Sequence, residues 1–572
     1  MLKKICPIIT SLLVGSHLVS TVNAETTTIG SCSKNSTTKQ NASEFNIIPQ
    51  VASLKINNGY FTLSADSKII VAKELWSGAK FLTKYLENAS FLPSTKVVTK
   101  EIATQNLNKN EIAFILDKNI PKEGYTLDIK PANIIIKASS AKGAFYAVQT
   151  IRQMVADPTL LEKTSTDKNV ESIKLKACSI KDQPRFEYRG FMIDSARQFI
   201  EVDDLKKMID LMALYKLNKF HWHLTDDQGW RLEIKKYPRL TQHGAFRKNT
   251  LISDHKITIE KGITENLKWT NEPYGNFYSQ AEAKDIVKYA AERFIDVIPE
   301  IDVPGHAVAA ISSYPYLSCE GKPIDVWSIW GISKDLYCAG KDSSFDFIQN
   351  VLAETMEIFP SKIIHIGGDE AKKDKWKKCP LCQKRMKENN LKNVHELQTY
   401  FITRVAKYVQ SKGRNVIGWD EILEGGLAKD TMIMSWRGSK GGIEAAKKGH
   451  NVVMSPYTHV YFDYYQSKNR KNEPMAYGGF LPLSKVYEFD PTANLDANSA
   501  KFVKGGQANI WREYIRTNDY LQYMTFPRLM AAAECVWTPK EEKDYQNFTN
   551  KLEQHYKRFD ALNVNYRRHD KK

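Results

Sequence analysis

The 572-residue sequence predicts an α/β protein, a (β/α)8 TIM barrel preceded by a small α+β domain. Three observations predict it. Beyond Pro184 the chain repeats a strand, a loop and an amphipathic helix eight times over roughly 350 residues, the count of a closed parallel barrel. Nearly every one of those strands ends in carboxylates or indoles, and in such a barrel the strand ends converge on one mouth. Before Pro184, short strand patterns alternate with helical stretches, and no cluster of reactive side chains interrupts them. A doubly wound open sheet would have fewer strands and, usually, a glycine-rich phosphate loop.

Taken in order, residues 1–24 open with Lys3 and Lys4, run through an apolar stretch over 5–19 and end in Val22-Asn23-Ala24. That is the pattern of a secretory signal cleaved after Ala24. The stretch is too short and too interrupted to span a membrane, and no later one is long enough. The expectation is an exported protein, periplasmic or secreted, without a membrane span. Residues 25–44, rich in Thr, Ser, Asn and Lys, read as a flexible leader. The α+β accessory domain is expected over 45–183, with strands such as Tyr60-Phe61-Thr62-Leu63 and Asn133-Ile134-Ile135-Ile136 and a helix over 142–154. The catalytic barrel is expected over 184–540, with strands at 190–194, 219–224, 295–301, 362–366, 415–419, 431–436, 451–455 and 502–507. Between them, residues such as Leu205, Met208, Ile209, Met212 and Tyr215 keep one apolar face at helical spacing. Residues 541–572 read as a C-terminal helical tail.

Composition narrows the function classes. Hydrophobic content of 42% with 26% charged residues is that of a folded protein, and the length calls for more than one core. The formal charge of +17 falls to +15 once Lys3 and Lys4 leave with the signal. The lysines are scattered rather than striped and no nucleic-acid module is present, so a basic, solvated surface accounts for the charge. Of the eight cysteines Cys6 lies in the signal, leaving an odd seven. Cys379-Pro-Leu-Cys382 could be half of a zinc ribbon, but such a site needs a second pair, and none is suitably spaced. In an oxidising compartment two disulfides are expected instead, Cys319–Cys338 and Cys379–Cys382. Cys178 and Cys535 sit in apolar contexts and read as buried thiols.

The chemistry concentrates at the strand ends. Arg197 follows the first strand, Asp226 and Asp227 the second, Asp302 and His306 the third, and Asp369 and Glu370 the fourth. Trp419 with Asp420 and Glu421, Trp436 with Arg437, Tyr461 with Asp463, and Trp511 with Glu513 follow the rest. Acids that hold hydroxyls, with indole rings to cover an apolar ring face, suit a sugar. A metal enzyme would carry more histidine at these ends and a phosphate enzyme more glycine and lysine, so neither a metal nor a cofactor is expected there. In His365-Ile366-Gly367-Gly368-Asp369-Glu370 two glycines let the chain turn sharply before adjacent carboxylates. Crowding raises the pKa of one of them, as a proton donor near neutral pH requires. Two acids in the first turn of a helix would be the structural alternative for that pair taken alone.

Four segments together resemble glycoside hydrolase family 20, the β-N-acetylhexosaminidases. They are Arg189-Gly190-Phe191-Met192-Ile193-Asp194 leading to Arg197, His221-Trp222-His223-Leu224-Thr225-Asp226-Asp227-Gln228, Pro299-Glu300-Ile301-Asp302-Val303-Pro304-Gly305-His306, and the run from His365 to Glu370. The resemblance implies an exo-acting enzyme that removes a terminal N-acetylhexosamine by a retaining, substrate-assisted route. It implies Glu370 as general acid/base and Asp369 as the residue that holds the substrate's 2-acetamido group, whose oxygen is the nucleophile. Tyr461 would donate a hydrogen bond to that oxygen, and Asp302 with His306 would form a relay behind Glu370. Arg197, Asp226, Asp463 and Glu513 would hold sugar hydroxyls, and Trp419, Trp436 and Trp511 would line the pocket. One departure stands out: many members carry a further tryptophan between the positions of Asp463 and Trp511, where this chain offers Tyr477 instead.

Two other readings stay beside this one. His221-Trp222-His223 has the spacing of a metal pair on a strand, although two hydrogen-bonded core histidines fit the pattern better. The barrel could also be a carbohydrate-binding or adhesion protein without catalysis, or a retaining glycosidase for other sugars.

Overall fold

The computed structural model describes residues 45–87, 97–99, 107–162, 172–254, 267–424, 426 and 431–570. The expected signal and leader, over 1–44, lie outside the described residues.

The first unit is a mixed sheet built from β1 (Ser53–Ser64), β2 (Lys68–Val71), β3 (Val97–Thr99), β4 (Glu111–Leu116), β5 (Tyr125–Ile129), β6 (Asn133–Ala138) and β7 (Ser172–Asp182). Its strand order is β1-β7-β5-β6-β4-β2-β3. Two helices, α1 (Trp76–Glu87) and α2 (Ala141–Met154), pack together against it. They approach closely because Gly78 has no side chain: a Cβ there would lie 2.0 Å from the Ala141 carbonyl oxygen. Residues Gly143 to Gln153 of α2 are all buried. The helix touches both the sheet and the second unit, where Gln153 donates to the Leu214 carbonyl at 2.9 Å.

The polar centre of this junction is Asp182, at the end of β7. Its carboxylate accepts from Lys216 Nζ at 2.9 Å, Tyr125 Oη at 2.7 Å and Trp537 Nε1 at 3.1 Å. A buried acid and a buried lysine are each costly alone, so this pair fixes one docking of the small domain on the barrel.

The second unit is a closed barrel of eight parallel strands: β8 (Tyr188–Asp194), β9 (Lys219–His223), β10 (Asp296–Glu300), β11 (Ile363–His365), β12 (Asn415–Trp419), β13 (Thr431–Ser435), β14 (Val452–Met454) and β15 (Val503–Ile510). β15 closes on β8 with Gln507 opposite Gly190. The expected strands are all present, and the last runs three residues further than its pattern suggests. Asn509 is the reason: it is polar, yet, like Gln507 before it, it is buried and paired. Gln507 Oε1 accepts from Tyr188 Oη at 2.8 Å, and Asn509 donates to Ser455 Oγ at 2.7 Å. Tyr188, Ile298, Ile417, Trp419, Met434 and Val453 form a core of their own, separate from the larger apolar cluster. The face read on the first barrel helix, Val202–Leu214 with Tyr215 as its cap, is buried throughout. Among the described residues no helix is long and apolar enough to cross a membrane. A last helix spans Tyr545–Ala561.

The cysteines depart from expectation. Cys319, Cys338, Cys379 and Cys382 are all free, so neither expected disulfide is present. The four sulfurs instead lie within 4.8 Å of one another. Spacing along the chain paired each cysteine with its sequence neighbour, whereas the fold lays the loop holding Cys338 directly on the turn of Cys379 and Cys382. Gly340 permits this, since a Cβ there would meet the Leu381 carbonyl carbon at 2.2 Å. Cys178 and Cys535 are buried thiols.

Candidate active site

The site is assembled at the carboxyl ends of the barrel strands. After β11 the backbone turns through Gly367 and Gly368 at φ +65° and +102°. Side chains are excluded there: a Cβ on Gly367 would lie 1.7 Å from Asp302 Oδ1, and one on Gly368 would lie 2.3 Å from Ile422 Cγ2. Glu370 itself sits at φ 47°, and His306 at φ 48°. Two non-glycine residues held in the left-handed region and facing each other mark a place where the surroundings impose the conformation.

These turns aim the acids at one imidazole. His306 Nε2 lies 3.7 Å from Asp369 Oδ2 and 3.6 Å from Glu370 Oε2. The Asp369 side chain is 11% exposed and that of Glu370 31%, so Asp369 lies deep and Glu370 stands at the opening. On its other side His306 Nδ1 meets Asp226 Oδ1 at 3.2 Å and Asp227 Oδ2 at 3.5 Å. Burial disfavours the imidazolium, but Asp226 outweighs it and holds the His306 pKa well above its ordinary value. Burial likewise acts against the Asp226 carboxylate, yet Arg197 and His306 keep its pKa below the usual range.

A small open cavity of about 120 Å³ lies above this cluster. Of the residues singled out in the sequence, Arg197, Asp226, His306, Asp369, Glu370, Trp419, Trp436, Tyr461, Asp463, Trp511 and Glu513 line it, together with Tyr464 and Tyr477. Asp302 does not. It is buried behind the Gly367-Gly368 turn, where its Oδ1 accepts from the Gly368 amide at 3.3 Å. The acids in hydrogen-bonding reach of His306 Nδ1 are therefore Asp226 and Asp227, rather than Asp302.

The walls are braced from behind. Arg197 pairs with Asp226 at 2.8 Å and with Asp194 at 3.3 Å, and its guanidinium lies 5.0 Å from the centre of the Trp511 ring. Arg197 is thus held in ion pairs and also lines the cavity. Trp436 Nε1 donates to Glu421 at 2.8 Å, while its ring lies 6.1 Å from that of Tyr461 at an interplanar angle of 20°. Trp419 Nε1 donates to Glu300 Oε1 at 2.8 Å.

Glu300 is the residue that sequence reasoning passed over. It ends β10 opposite His223 of β9 and His365 of β11. Its carboxylate lies 3.0 Å from His221 Nε2 and 2.9 Å from His365 Nδ1, and it also bonds His223. The available signal was a charged residue inside the otherwise apolar run of a barrel strand. The His221 and His223 pair thus belongs to a buried network below the cavity.

Burial raises three of the acids that face the cavity. It lifts Asp369 to about 6, with the Glu370 charge adding to it and His306 opposing. Glu513 is lifted to about 7, and Asp463 stands well above its ordinary value through burial and the Glu513 charge. Asp369 Oδ1, Asp463 Oδ1, Glu513 Oε2 and His306 Nε2 are buried and lack a hydrogen-bond partner within the protein. Polar atoms in that state are ready for a ligand rich in hydroxyl and amide groups.

The comparisons agree with this geometry. The family described as "Glycosyl hydrolase family 20, catalytic domain" matches residues 186–540, and "Glycosyl hydrolase family 20, domain 2" matches residues 44–183. A beta-hexosaminidase of Porphyromonas gingivalis is 43% identical over 526 residues, covering 91% of this chain. The chain spans 64% of the length of that relative. The solved exo beta-N-acetylglucosaminidase of Vibrio harveyi, in complex with N-acetylglucosamine, is similar with a TM-score of 0.77 at 32% identity. That match covers 92% of this chain and 78% of the other. The beta-N-acetylhexosaminidase of Streptomyces coelicolor has a TM-score of 0.78 at 28% identity, with 92% and 98% of the two chains covered. The barrel, the small domain before it and both family matches make this chain a member of glycosyl hydrolase family 20.

Proposed function

We propose that the protein is an exo-acting β-N-acetylhexosaminidase that removes terminal non-reducing N-acetylglucosamine by a retaining, substrate-assisted mechanism. The observation that carries it is the convergence of Asp369 and Glu370 on the same His306 nitrogen. Two carboxylates used in the ordinary retaining route must flank the sugar, one on each side of the anomeric carbon. Here the deep Asp369 is placed to hold the acetamido group and the more exposed Glu370 to act as the acid, and the substrate's acetamido oxygen supplies the nucleophile. Glu370, at the opening, protonates the leaving oxygen and later activates water. Asp369, deep and with one unpartnered oxygen, holds the acetamido N–H. Tyr461, buried beside Trp436, donates to the acetamido oxygen.

Arg197, Asp463 and Glu513 hold hydroxyls, and Trp419, Trp436 and Trp511 enclose the ring. Asp226 reaches the cavity wall, but its oxygens accept from His223 and His306 and pair with Arg197, so its part is to position them. Tyr477 lines the same cavity. The Lys3–Ala24 pattern supports export. Hydrolysis of an aryl β-N-acetylglucosaminide by the mature protein tests the proposal. Tight binding of that glycoside without turnover would instead make the barrel a lectin.

Two consequences are measurable at once. Trp511→Ala is expected to raise KM and weaken inhibitor binding by roughly 1–3 kcal/mol with the fold retained. The ring is partly exposed at the mouth and held from behind by Arg197 and His223. Wild-type affinity, or an unfolded variant, would assign the indole to packing.

The second concerns pH. Asp369 must be ionised to stabilise positive charge, and burial raises its pKa to about 6. Protonation therefore removes activity as pH falls, and kcat/KM on an activated aryl substrate should decline through an apparent pKa near 6. A profile that stays flat well below that value would show that another group governs the acid limb.

A further inference from the structure

Outside the active site, the four free cysteines form the most specific cluster in the molecule. Cys319 Sγ lies 3.8 Å from Cys382 Sγ, and Cys338 Sγ lies 3.8 Å from Cys379 Sγ and 3.6 Å from Cys382 Sγ. Disulfide chemistry joins sulfurs two by two, but Cys338 has two neighbours at nearly equal distance. Four thiolates on one zinc ion, each about 2.3 Å from it in a tetrahedron, stand about 3.8 Å from one another. These three of the six separations match the tetrahedron's edges, and all six lie within 4.8 Å. Cys338, Cys379 and Cys382 are buried, and Cys319 is partly so.

The backbone around the cluster is also built for a metal. Cys379 precedes a helix, Pro380–Glu388, and Cys382 lies in its first turn, the short C-x-x-C reach that places two sulfurs on one ion. Cys319 and Cys338 come from chain segments joined by an antiparallel bridge between Ser318 and Tyr337, and the Cys338 amide donates to the Leu317 carbonyl at 2.8 Å. The Gly340 amide hydrogen-bonds the Cys338 sulfur, the outer contact that supports a metal thiolate.

The geometry points to a structural zinc site formed by Cys319, Cys338, Cys379 and Cys382, which clamps together the loops that follow β10 and β11. On binding Zn²⁺ the four thiols release four protons to solvent, and the sulfurs become inaccessible to pairing as disulfides. The clamp lies just behind the catalytic turn. The loop carrying Cys319 and Cys338 begins at Asp302 and His306, and the segment carrying Cys379 and Cys382 begins at Asp369 and Glu370. Tyr337 joins them, since its amide donates to the Pro304 carbonyl at 3.0 Å and its carbonyl accepts from Trp376 Nε1 at 2.9 Å. The ion is thus a positioning device for His306 and Glu370 and does not touch substrate.

The test is elemental analysis and intact-mass measurement of the full-length mature protein, purified without chelator and then supplied with zinc alone. The expected result is one zinc per chain, with the four thiols unreactive until denaturation and zinc released in step with their modification by an organomercurial. Cobalt(II) exchanged into the site should give the intense visible bands of a tetrahedral thiolate complex. Cys338→Ser and Cys379→Ser should each abolish stoichiometric zinc, lower Tm by several degrees and lower kcat several-fold with little change in KM. If those variants are insoluble, the cobalt spectrum and metal content of the unaltered chain still decide the matter. Two intrachain disulfides in metal-free protein, or four free thiols that take up neither ion, would overturn the assignment.

Discussion

Glu370→Gln is expected to lower turnover of a natural disaccharide by roughly 10²–10⁴-fold, the contribution of a positioned general acid, and to affect an activated aryl glycoside far less. A sugar alkoxide is a poor leaving group and needs a proton as the bond breaks, whereas a nitrophenolate departs without one. The Glu370 side chain is the more exposed of the two acids and lines the cavity, and His306 Nε2 lies 3.6 Å from its carboxylate. Glutamine keeps nearly the same size and contacts, so binding of a substrate analogue should survive. The second half-reaction also loses its base. Azide, which attacks without giving up a proton, should therefore accelerate turnover of the aryl substrate by the variant and not by the unaltered enzyme. Initial rates on both substrates, with and without azide, decide the point. An equal loss on the two would assign the proton to another group.

Most of this arrangement was legible before any coordinates, for a physical reason. Parallel barrel strands are buried on both faces and read as apolar runs, and whatever follows them must face the mouth. Asp369, Glu370, Trp419, Trp436 and Trp511 are visible in that way. What stayed hidden depends on register and on long-range approach. Glu300 gains its meaning from His223 and His365 on the two flanking strands, and that pairing is not written in any local pattern. Asp302 is close to His306 in sequence, yet the left-handed backbone at His306 goes with a ring paired to Asp226 and leaves Asp302 beneath the glycine turn. Asn509 lay beyond the expected strand because its partner, Ser455, follows a different strand. The cysteines failed for the same reason: Cys338 is 41 residues from Cys379 and 44 from Cys382, and only the folded loop brings them together.

A plain aryl β-glucoside should be turned over negligibly, while the matching β-N-acetylglucosaminide is hydrolysed efficiently. The difference is who attacks the anomeric carbon. With the 2-acetamido oxygen held against that carbon the attack is intramolecular, an advantage of up to about 7–11 kcal/mol over a reagent from solution. A 2-hydroxyl offers no such nucleophile, and in the proposed mechanism Asp369 holds the acetamido group instead of attacking the carbon itself. As the oxygen closes on the carbon, positive charge spreads onto the acetamido group, and in the proposed mechanism the Asp369 carboxylate would stabilise that charge. Asp369→Asn should therefore reduce kcat by about 10²–10³-fold, the scale of removing one preorganised electrostatic partner, with a much smaller change in product affinity. Two inversions, one by the acetamido oxygen and one by water, leave the first product in the β configuration. A thiazoline that mimics the bicyclic intermediate should bind far more tightly than the sugar itself. Efficient β-glucoside hydrolysis, a trapped sugar ester on Asp369, or an α product in early NMR spectra would each return the nucleophile to the protein.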